Sequence, residues 1–163
     1  TYVKESIWGE KNMTQRQIKY RTKSLNGLLY CTDEEFKTHQ DISQMSPAGF
    51  EEMCEKYITR LGWNVLKRTN YDGGIDIRAI KDAADNNIKK LFVQCKHYIN
   101  SSSPIGPDVV RELKGSVDLD EIDNKDCDIE MMIISSTRYT FKAVEAAKKL
   151  NIKLIKTDDI RKE

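Results

Sequence analysis

The sequence lacks the features that define several protein classes. Its 163 residues contain no apolar run of about 18 residues, the length that a membrane-spanning helix needs, so we expect no membrane association. The first ten residues, TYVKESIWGE, lack the apolar core of a signal peptide, which favours a cytoplasmic protein. They also lack an initiator Met, so we expect a fragment with an additional domain N-terminal to it. The length suits one domain with an appendage.

Neither the thiols nor the net charge indicates a specific ligand. The chain has no CxxC pair, and its four cysteines lie far apart, at Cys31, Cys54, Cys95 and Cys127. Zinc coordination by these thiols with His39 or His97 stays open, although reduced thiols in a cytosolic protein are the favoured interpretation. The formal net charge of +1 excludes a polycation that holds nucleic acid by bulk charge. Any nucleic-acid site must therefore be a local patch.

A regular pattern of helices and strands begins at Ser46. Residues 1–45 are polar and weakly periodic, and we predict a linker or peripheral helices there. Ser46 and Pro47 are typical of an N-cap and first helical position, and Gly62 ends the apolar stripe that follows. The order from there is helix, three strands, helix, strand, helix, strand. This order predicts one α/β domain over 46–163, a mixed central sheet flanked by helices.

Polar side chains interrupt two otherwise apolar strands, GGIDIRAI (73–80) and LFVQCKHY (91–98). Because side chains alternate between the faces of a strand, Asp76 lies on one face, and Gln94 and Lys96 share a face of the next strand. The apolar neighbours are predicted to form the core face: Ile75, Ile77, Ala79, Leu91, Val93 and Cys95. If the strands pair as a hairpin, a carboxylate, a carboxamide and an ammonium meet near the strand ends.

Two interpretations of this polar group are open from spacing alone. One is a buried Asp–Lys ion pair with an amide neighbour, since an unpartnered buried charge would be costly. The other is a cation site, in which Asp76, the Gln94 amide oxygen and a backbone carbonyl provide the hard oxygen ligands that Mg²⁺ prefers. In that case Lys96 orients or activates the attacking water.

Several stretches in this order resemble the Mrr-like restriction endonuclease branch of the PD-(D/E)XK nuclease superfamily, in which Gln replaces the usual Glu. They are SPAGFEEMCEKYITRLGWNV, YDGGIDIRAI, LFVQCKHY, SPIGPDVVRELKGS and IISSTRYTFKAVEAAKKLNIKLI. The resemblance implies the restriction-endonuclease-like fold. It implies Asp76, Gln94 and the Cys95 backbone carbonyl as ligands of Mg²⁺, with Mn²⁺ as a substitute, and Lys96 as the catalytic lysine. It also points to Glu51 on the first helix, for which a solvated surface charge is the alternative.

The function implied by the resemblance is metal-dependent hydrolysis of DNA phosphodiester bonds, in restriction or another prokaryotic defence. Two alternatives stay open: a nuclease-fold module that binds nucleic acid or protein without turnover, and a ribonuclease. Double-strand cleavage would require a homodimer, because one site cuts one strand.

Cations and hydroxyls around the polar group are candidate contacts to the DNA backbone. They are Lys67, Arg68, Asn70, Asp72, His97, Ser101, Ser102, Ser103, Arg111, Lys114 and Arg138. For Asp72 a turn is the preferred interpretation. Gly73 and Gly74 are predicted to supply a positive φ or clearance for the site. The acidic stretch DLDEIDNKDCDIE (118–130) would repel phosphates, and we expect a solvated loop away from the cleft.

Overall fold

A computed structural model describes residues 42, 45–66, 73–84, 87–98, 103–120 and 127–160. In chain order these form α1 (Pro47–Arg60), β1 (Asn64–Val65), β2 (Ile77–Asp82), β3 (Ile88–Lys96), α2 (Pro107–Asp120), β4 (Asp128–Ser135), α3 (Phe141–Leu150), β5 (Ile152–Lys156) and α4 (Thr157–Ile160). None of the helices in these ranges is long and apolar enough to cross a bilayer. The linker or helices expected over 1–45 fall almost entirely outside the described residues.

The five strands form one mixed sheet in the order β1-β2-β3-β4-β5. β1, β2 and β3 are antiparallel neighbours, whereas β3, β4 and β5 run parallel. The predicted hairpin of β2 and β3 is confirmed, with Ile77 opposite Val93. Its hydrogen bonding continues one residue further, since the Asp76 amide donates to the Val93 carbonyl at 2.8 Å. Asp76 is therefore held at the end of β3 that carries Gln94 and Lys96.

Both faces of the sheet are buried, which corrects the expectation of a single core face. One face packs against α1, whose Phe50 and Ile58 lie in one cluster with Ile77 and Val93. The other face packs against α2 and α3, where the cluster includes Phe92, Ile133, Val110, Leu113 and Ala143. The polar residues Gln94 and Lys96 thus lie at the edge of a second core.

The expectation that Ile75 shares a face with Ile77 was wrong. Ile75 belongs to the cluster under α2 and α3, whereas Ile77 belongs to the cluster under α1. The reason is that Ile75 precedes β2, in the segment after a turn at Gly73 and Gly74, where strand alternation does not apply.

The start and end of α1 follow the predicted signals. Ser46 is the N-cap, and its Oγ accepts a hydrogen bond from the Gly49 amide at 3.1 Å. Pro47 occupies the first helical position, and Gly62 after the helix has a φ of +88°. The first of the three strands predicted to follow is β1, which comprises Asn64 and Val65, and residues 67–72 lie outside the described residues.

The acidic stretch is only partly a loop. Its first residues belong to α2, which continues to Asp120, and its last residues open β4 at Asp128. The Asp120 carboxylate accepts a hydrogen bond from the Arg78 guanidinium at 3.0 Å, and that guanidinium lies 5.9 Å from the centre of the Phe92 ring. Asp120 therefore anchors α2 to the sheet, while residues 121–126 lie outside the description.

Candidate active site

The Asp76 carboxylate is fixed between β2 and β3. Its Oδ2 accepts a hydrogen bond from the Cys95 amide at 2.6 Å, while its own amide donates to Val93. A carboxylate that accepts from a backbone N–H makes a short, charge-assisted bond, which restricts where its second oxygen can point. Asp76 is therefore preorganised beside the segment Gln94–Lys96.

Gln94 presents a buried oxygen that has no hydrogen-bond partner among the described residues. The side chain is 1% exposed, and its Oε1 accepts no bond there. A buried acceptor left without a partner costs about 1–3 kcal/mol. An amide oxygen beside a carboxylate is a ligand set that suits Mg²⁺ or Mn²⁺. The residues present thus fit a divalent cation at this edge of the sheet.

The ligand set is poor in charged groups. No three His, Cys, Asp or Glu side chains lie together as a metal cluster in the part of the chain that the structure describes. A cation at Asp76 would therefore be held by one carboxylate, the Gln94 amide, backbone oxygens and water. Mg²⁺ is commonly bound by one or two carboxylates and keeps several waters, so the set matches that ion better than zinc.

Lys96 ends β3 and faces α2. Its Nζ lies 3.7 Å from Oε2 of Glu112, and the two side chains are 28% and 47% exposed. Sequence analysis missed Glu112. Nothing in the helix periodicity distinguishes it from other charged positions of α2, since its role depends on how α2 crosses the end of β3.

The turn before Asp76 packs directly on α2. Gly74 has a φ of +94°, and a Cβ at this position would lie 2.9 Å from Ser116 Oγ and 3.1 Å from Glu112 Cγ. The Ser116 hydroxyl also donates to the Gly73 carbonyl. The prediction that this glycine pair supplies positive φ and clearance is confirmed for Gly74, whereas a Cβ at Gly73 would have no neighbour within 4 Å. Ser116 therefore contacts the turn, and Glu112 lies next to both the turn and Lys96 at the end of β3.

Glu51 lies on the side of α1 that faces this edge. The pKa of the Cys95 thiol lies well above its usual value, mainly because of a hydrogen bond with Cys54 and burial, and additionally because of the negative charges of Asp76 and Glu51. Both carboxylates therefore lie close enough to Cys95 to repel a thiolate there. The structure thus brings both Glu51 and Asp76 near Cys95, at the end of β3.

The candidate DNA contacts divide into three groups. Those on residues 67–72 and 101–102 lie outside the described residues: Lys67, Arg68, Asn70, Asp72, Ser101 and Ser102. Ser103, Arg111 and Arg138 are exposed, and Lys114 forms an ion pair with Asp118 on the same helix. His97 is half-buried, with Nε2 2.7 Å from the Met45 carbonyl oxygen and Nδ1 3.0 Å from Ser136 Oγ.

A family model described as restriction endonuclease (Mrr_cat) matches residues 42–162. The chain belongs to this restriction endonuclease family. The match spans all the helices and strands described above, and it confirms the resemblance to Mrr-like endonucleases drawn from the sequence motifs. The fold class, a mixed sheet flanked by helices, is confirmed as well.

Solved structures show a similar fold at low sequence identity. A protein of unknown function, AF1548, aligns with a TM-score of 0.51 and 18% identity over 65% of this chain and 55% of its own. A repair endonuclease from Pyrococcus abyssi aligns with a TM-score of 0.47 and 15% identity, over 69% of this chain and 47% of its own. The restriction endonuclease MspJI in complex with a 27-mer oligonucleotide aligns with a TM-score of 0.46 and 11% identity, over 98% of this chain and 34% of its own. The chain thus spans about half the length of these proteins or less. A comparison with curated proteins gives no match.

Proposed function

We propose that residues 46–163 form an endonuclease domain that hydrolyses DNA phosphodiester bonds with a divalent cation, Mg²⁺ or Mn²⁺, at Asp76 and Gln94. The observation that carries the proposal is the buried Gln94 Oε1, which has no partner among the described residues. Gln94 directly precedes Cys95, whose amide fixes the Asp76 carboxylate. A cation there would remove the cost of the unsatisfied acceptor. The family supports the reaction class, since its members are restriction endonucleases.

Each residue of the candidate site has its own role in the proposed reaction. Asp76, the Gln94 amide and the Cys95 carbonyl would hold the cation, which would supply Lewis-acid stabilisation of the phosphate and of the leaving oxygen. Lys96 places its ammonium next to the scissile phosphate and orients the attacking water. Glu51, which approaches from α1, would accept a hydrogen bond from that water.

The proposal that the substrate is DNA rests on the family and on exposed arginines near the site. Arg111 and Arg138 are exposed, one near the start of α2 and the other in the segment that connects β4 to α3. Both segments lie at the strand ends that carry Lys96 and Ser135, so they flank the site and are available to phosphates. Restriction of foreign DNA, or another prokaryotic defence in the cytoplasm, is the setting that we propose.

A cleavage assay tests the proposal. Supercoiled plasmid, linear duplex DNA and a matched RNA are incubated with the protein in Mg²⁺, in Mn²⁺ and with a chelator. We expect DNA products with either cation and none with the chelator. Equal or faster cleavage of RNA would change the substrate class. Intact DNA under all conditions, together with measurable DNA binding, would favour a binding module instead.

The products also test the proposed homodimer. One site cuts one strand, so linear DNA formed in a single step would require two copies acting together. We expect light scattering to detect a dimer on duplex DNA if linear product appears without a nicked intermediate.

A further inference from the structure

His97 follows Lys96 directly and lies at the junction of three elements. Its ring stacks on the Phe50 ring of α1, with centroids 4.6 Å apart and planes 6° from parallel. One ring nitrogen contacts the Met45 carbonyl before α1, and the other contacts Ser136 after β4. The imidazole therefore joins the start of α1, the end of β3 and the end of β4.

Each hydrogen bond around His97 and Ser136 can be given a donor and an acceptor. A carbonyl oxygen only accepts, so Nε2 carries a hydrogen and donates to Met45 at 2.7 Å. Ser136 Oγ accepts from the Tyr98 amide at 3.2 Å, which leaves its own hydrogen free to be donated to Nδ1 at 3.0 Å. The Ser136 amide in turn donates to the Lys96 carbonyl at 3.1 Å. Both ring nitrogens of His97 thus form hydrogen bonds within the protein, beside the backbone of Lys96.

The contacts on α1 control the position of Glu51. Met45 and Phe50 occupy the positions before the N-cap and four residues after it, where an apolar pair typically fixes how the chain enters a helix. Both are buried in one cluster, and His97 contacts both of them. Glu51 is the next residue after Phe50, so a shift of the imidazole moves the first turns of α1 and the carboxylate with them.

We infer that His97 is a positioning residue that holds Glu51 of α1 in register with Lys96, rather than a contact to a DNA phosphate. This inference rests on the proposed nuclease function, because it assigns His97 a role through the carboxylate of that same site. A phosphate contact would need a ring nitrogen directed to solvent, whereas the two nitrogens of His97 are directed to Met45 and Ser136. A residue that supports a catalytic group in this way typically changes activity by about 10–100-fold when it is replaced.

A double-mutant cycle separates positioning from general stabilisation. The cleavage rate at saturating DNA and Mg²⁺ is measured for wild type, His97→Phe, Glu51→Gln and the double variant. His97→Phe keeps a ring on Phe50 and removes both ring hydrogen bonds. We expect kcat to fall about 10–100-fold, with KM for DNA changed less than about twofold. In the Glu51→Gln background the same replacement should lower kcat by less than about threefold, because the group that His97 positions is already lost.

Two further variants serve as a replacement in case of misfolding and as a control for lost stability. His97→Gln, which retains a donor but not the stacked ring, replaces His97→Phe in the cycle if the latter does not fold. Ala147→Gly on α3 controls for lost stability and should leave kcat unchanged, because Ala147 is buried in the cluster under α2 and α3 and not in the α1 cluster of Phe50. Three outcomes would each overturn the role of His97: an equal loss in both backgrounds, a Glu51→Gln protein that cleaves at the wild-type rate, or a raised KM with normal kcat. A wild-type protein that cleaves nothing would instead overturn the proposed nuclease function.

Discussion

The side chain of Asp76 is bonded to the backbone of Cys95, with 2.6 Å between Oδ2 and the amide nitrogen. Cys95 is flanked by Gln94 and Lys96, so this one hydrogen bond sets the distance between a carboxylate on one strand and the two polar side chains on the next. The amide group cannot move without moving β3, which is paired on both sides. The arrangement is therefore rigid before any ligand binds, which is what an efficient catalytic site requires.

Replacing Asp76 by Asn should weaken cation binding while keeping the fold. The Asn carbonyl can still accept from Cys95, but the only charged ligand proposed for the cation is lost. We expect Mg²⁺ affinity to fall at least about tenfold by calorimetry, with cleavage lost in parallel. Asp82→Asn, at the exposed far end of β2, should bind Mg²⁺ like wild type. Unchanged affinity in Asp76→Asn would remove Asp76 from the ligands.

Two replacements of Gln94 should have opposite effects. Gln94→Glu places an unpaired carboxylate in a buried position, so we expect a lower melting temperature without metal and a larger rise on adding Mg²⁺ than in wild type. Gln94→Leu removes the unsatisfied oxygen, so the fold should tolerate it while metal affinity is lost. Thermal unfolding with and without Mg²⁺ measures both. A Gln94→Leu protein that binds Mg²⁺ normally would show that the amide is not a ligand.

Lys96→Ala should abolish cleavage without unfolding the protein. The side chain is partly exposed and its partner Glu112 is about half exposed, so the lost ion pair contributes at most about 1 kcal/mol to stability. Duplex binding should stay nearly intact in a gel-shift assay. Lys89→Ala removes a comparable pair with Glu130 at the opposite end of β3 and should cleave normally. Full activity in a folded Lys96→Ala protein would contradict the catalytic role.

Glu112→Gln tests whether the carboxylate beside Lys96 matters to the reaction. We expect the cleavage rate to fall about tenfold, because the ammonium loses the charge that holds it toward α2. Stability should change by less than about 1 kcal/mol, since the pair is long and exposed. Glu130→Gln is the matched control: it removes contacts to Lys89 and Lys153 at the other end of the sheet. Equal rates for both variants would make Glu112 an ordinary surface charge.

Gly74→Ala should destabilise the turn that precedes Asp76. The backbone has a φ of +94°, and the added methyl group would meet Ser116 and Glu112 of α2. A non-glycine residue in a left-handed conformation costs about 1–2 kcal/mol, and the contacts add to this. Gly73→Ala, where the methyl group meets nothing within 4 Å, should change the free energy of unfolding by less than about 0.5 kcal/mol. Urea unfolding of both variants measures the difference, and similar values would contradict the requirement for glycine at Gly74.

Local sequence signals were enough to predict most helices and strands and the resemblance to the family. Ser46, Pro47 and Gly62 bound α1, and Thr140 caps α3, because capping and helix ending depend on side chains next to the backbone groups that they satisfy. The alternation in β3 likewise predicted that Gln94 and Lys96 share a face, since strand geometry is a local property. These signals, together with the motif order, were sufficient for the fold class.

The contacts between those elements depend on how the whole chain packs. The Lys96–Glu112 contact, the packing of Gly74 on Ser116 and the position of Ile75 depend on where α2 crosses the sheet, which periodicity does not encode. His97 shows the same limit. Its sequence position beside Lys96 predicted a phosphate contact, whereas the fold directs both of its nitrogens to Met45 and Ser136, segments about 40–50 residues away in the chain. Contacts between distant segments form only when the sheet and its helices pack together, so no local pattern could specify them.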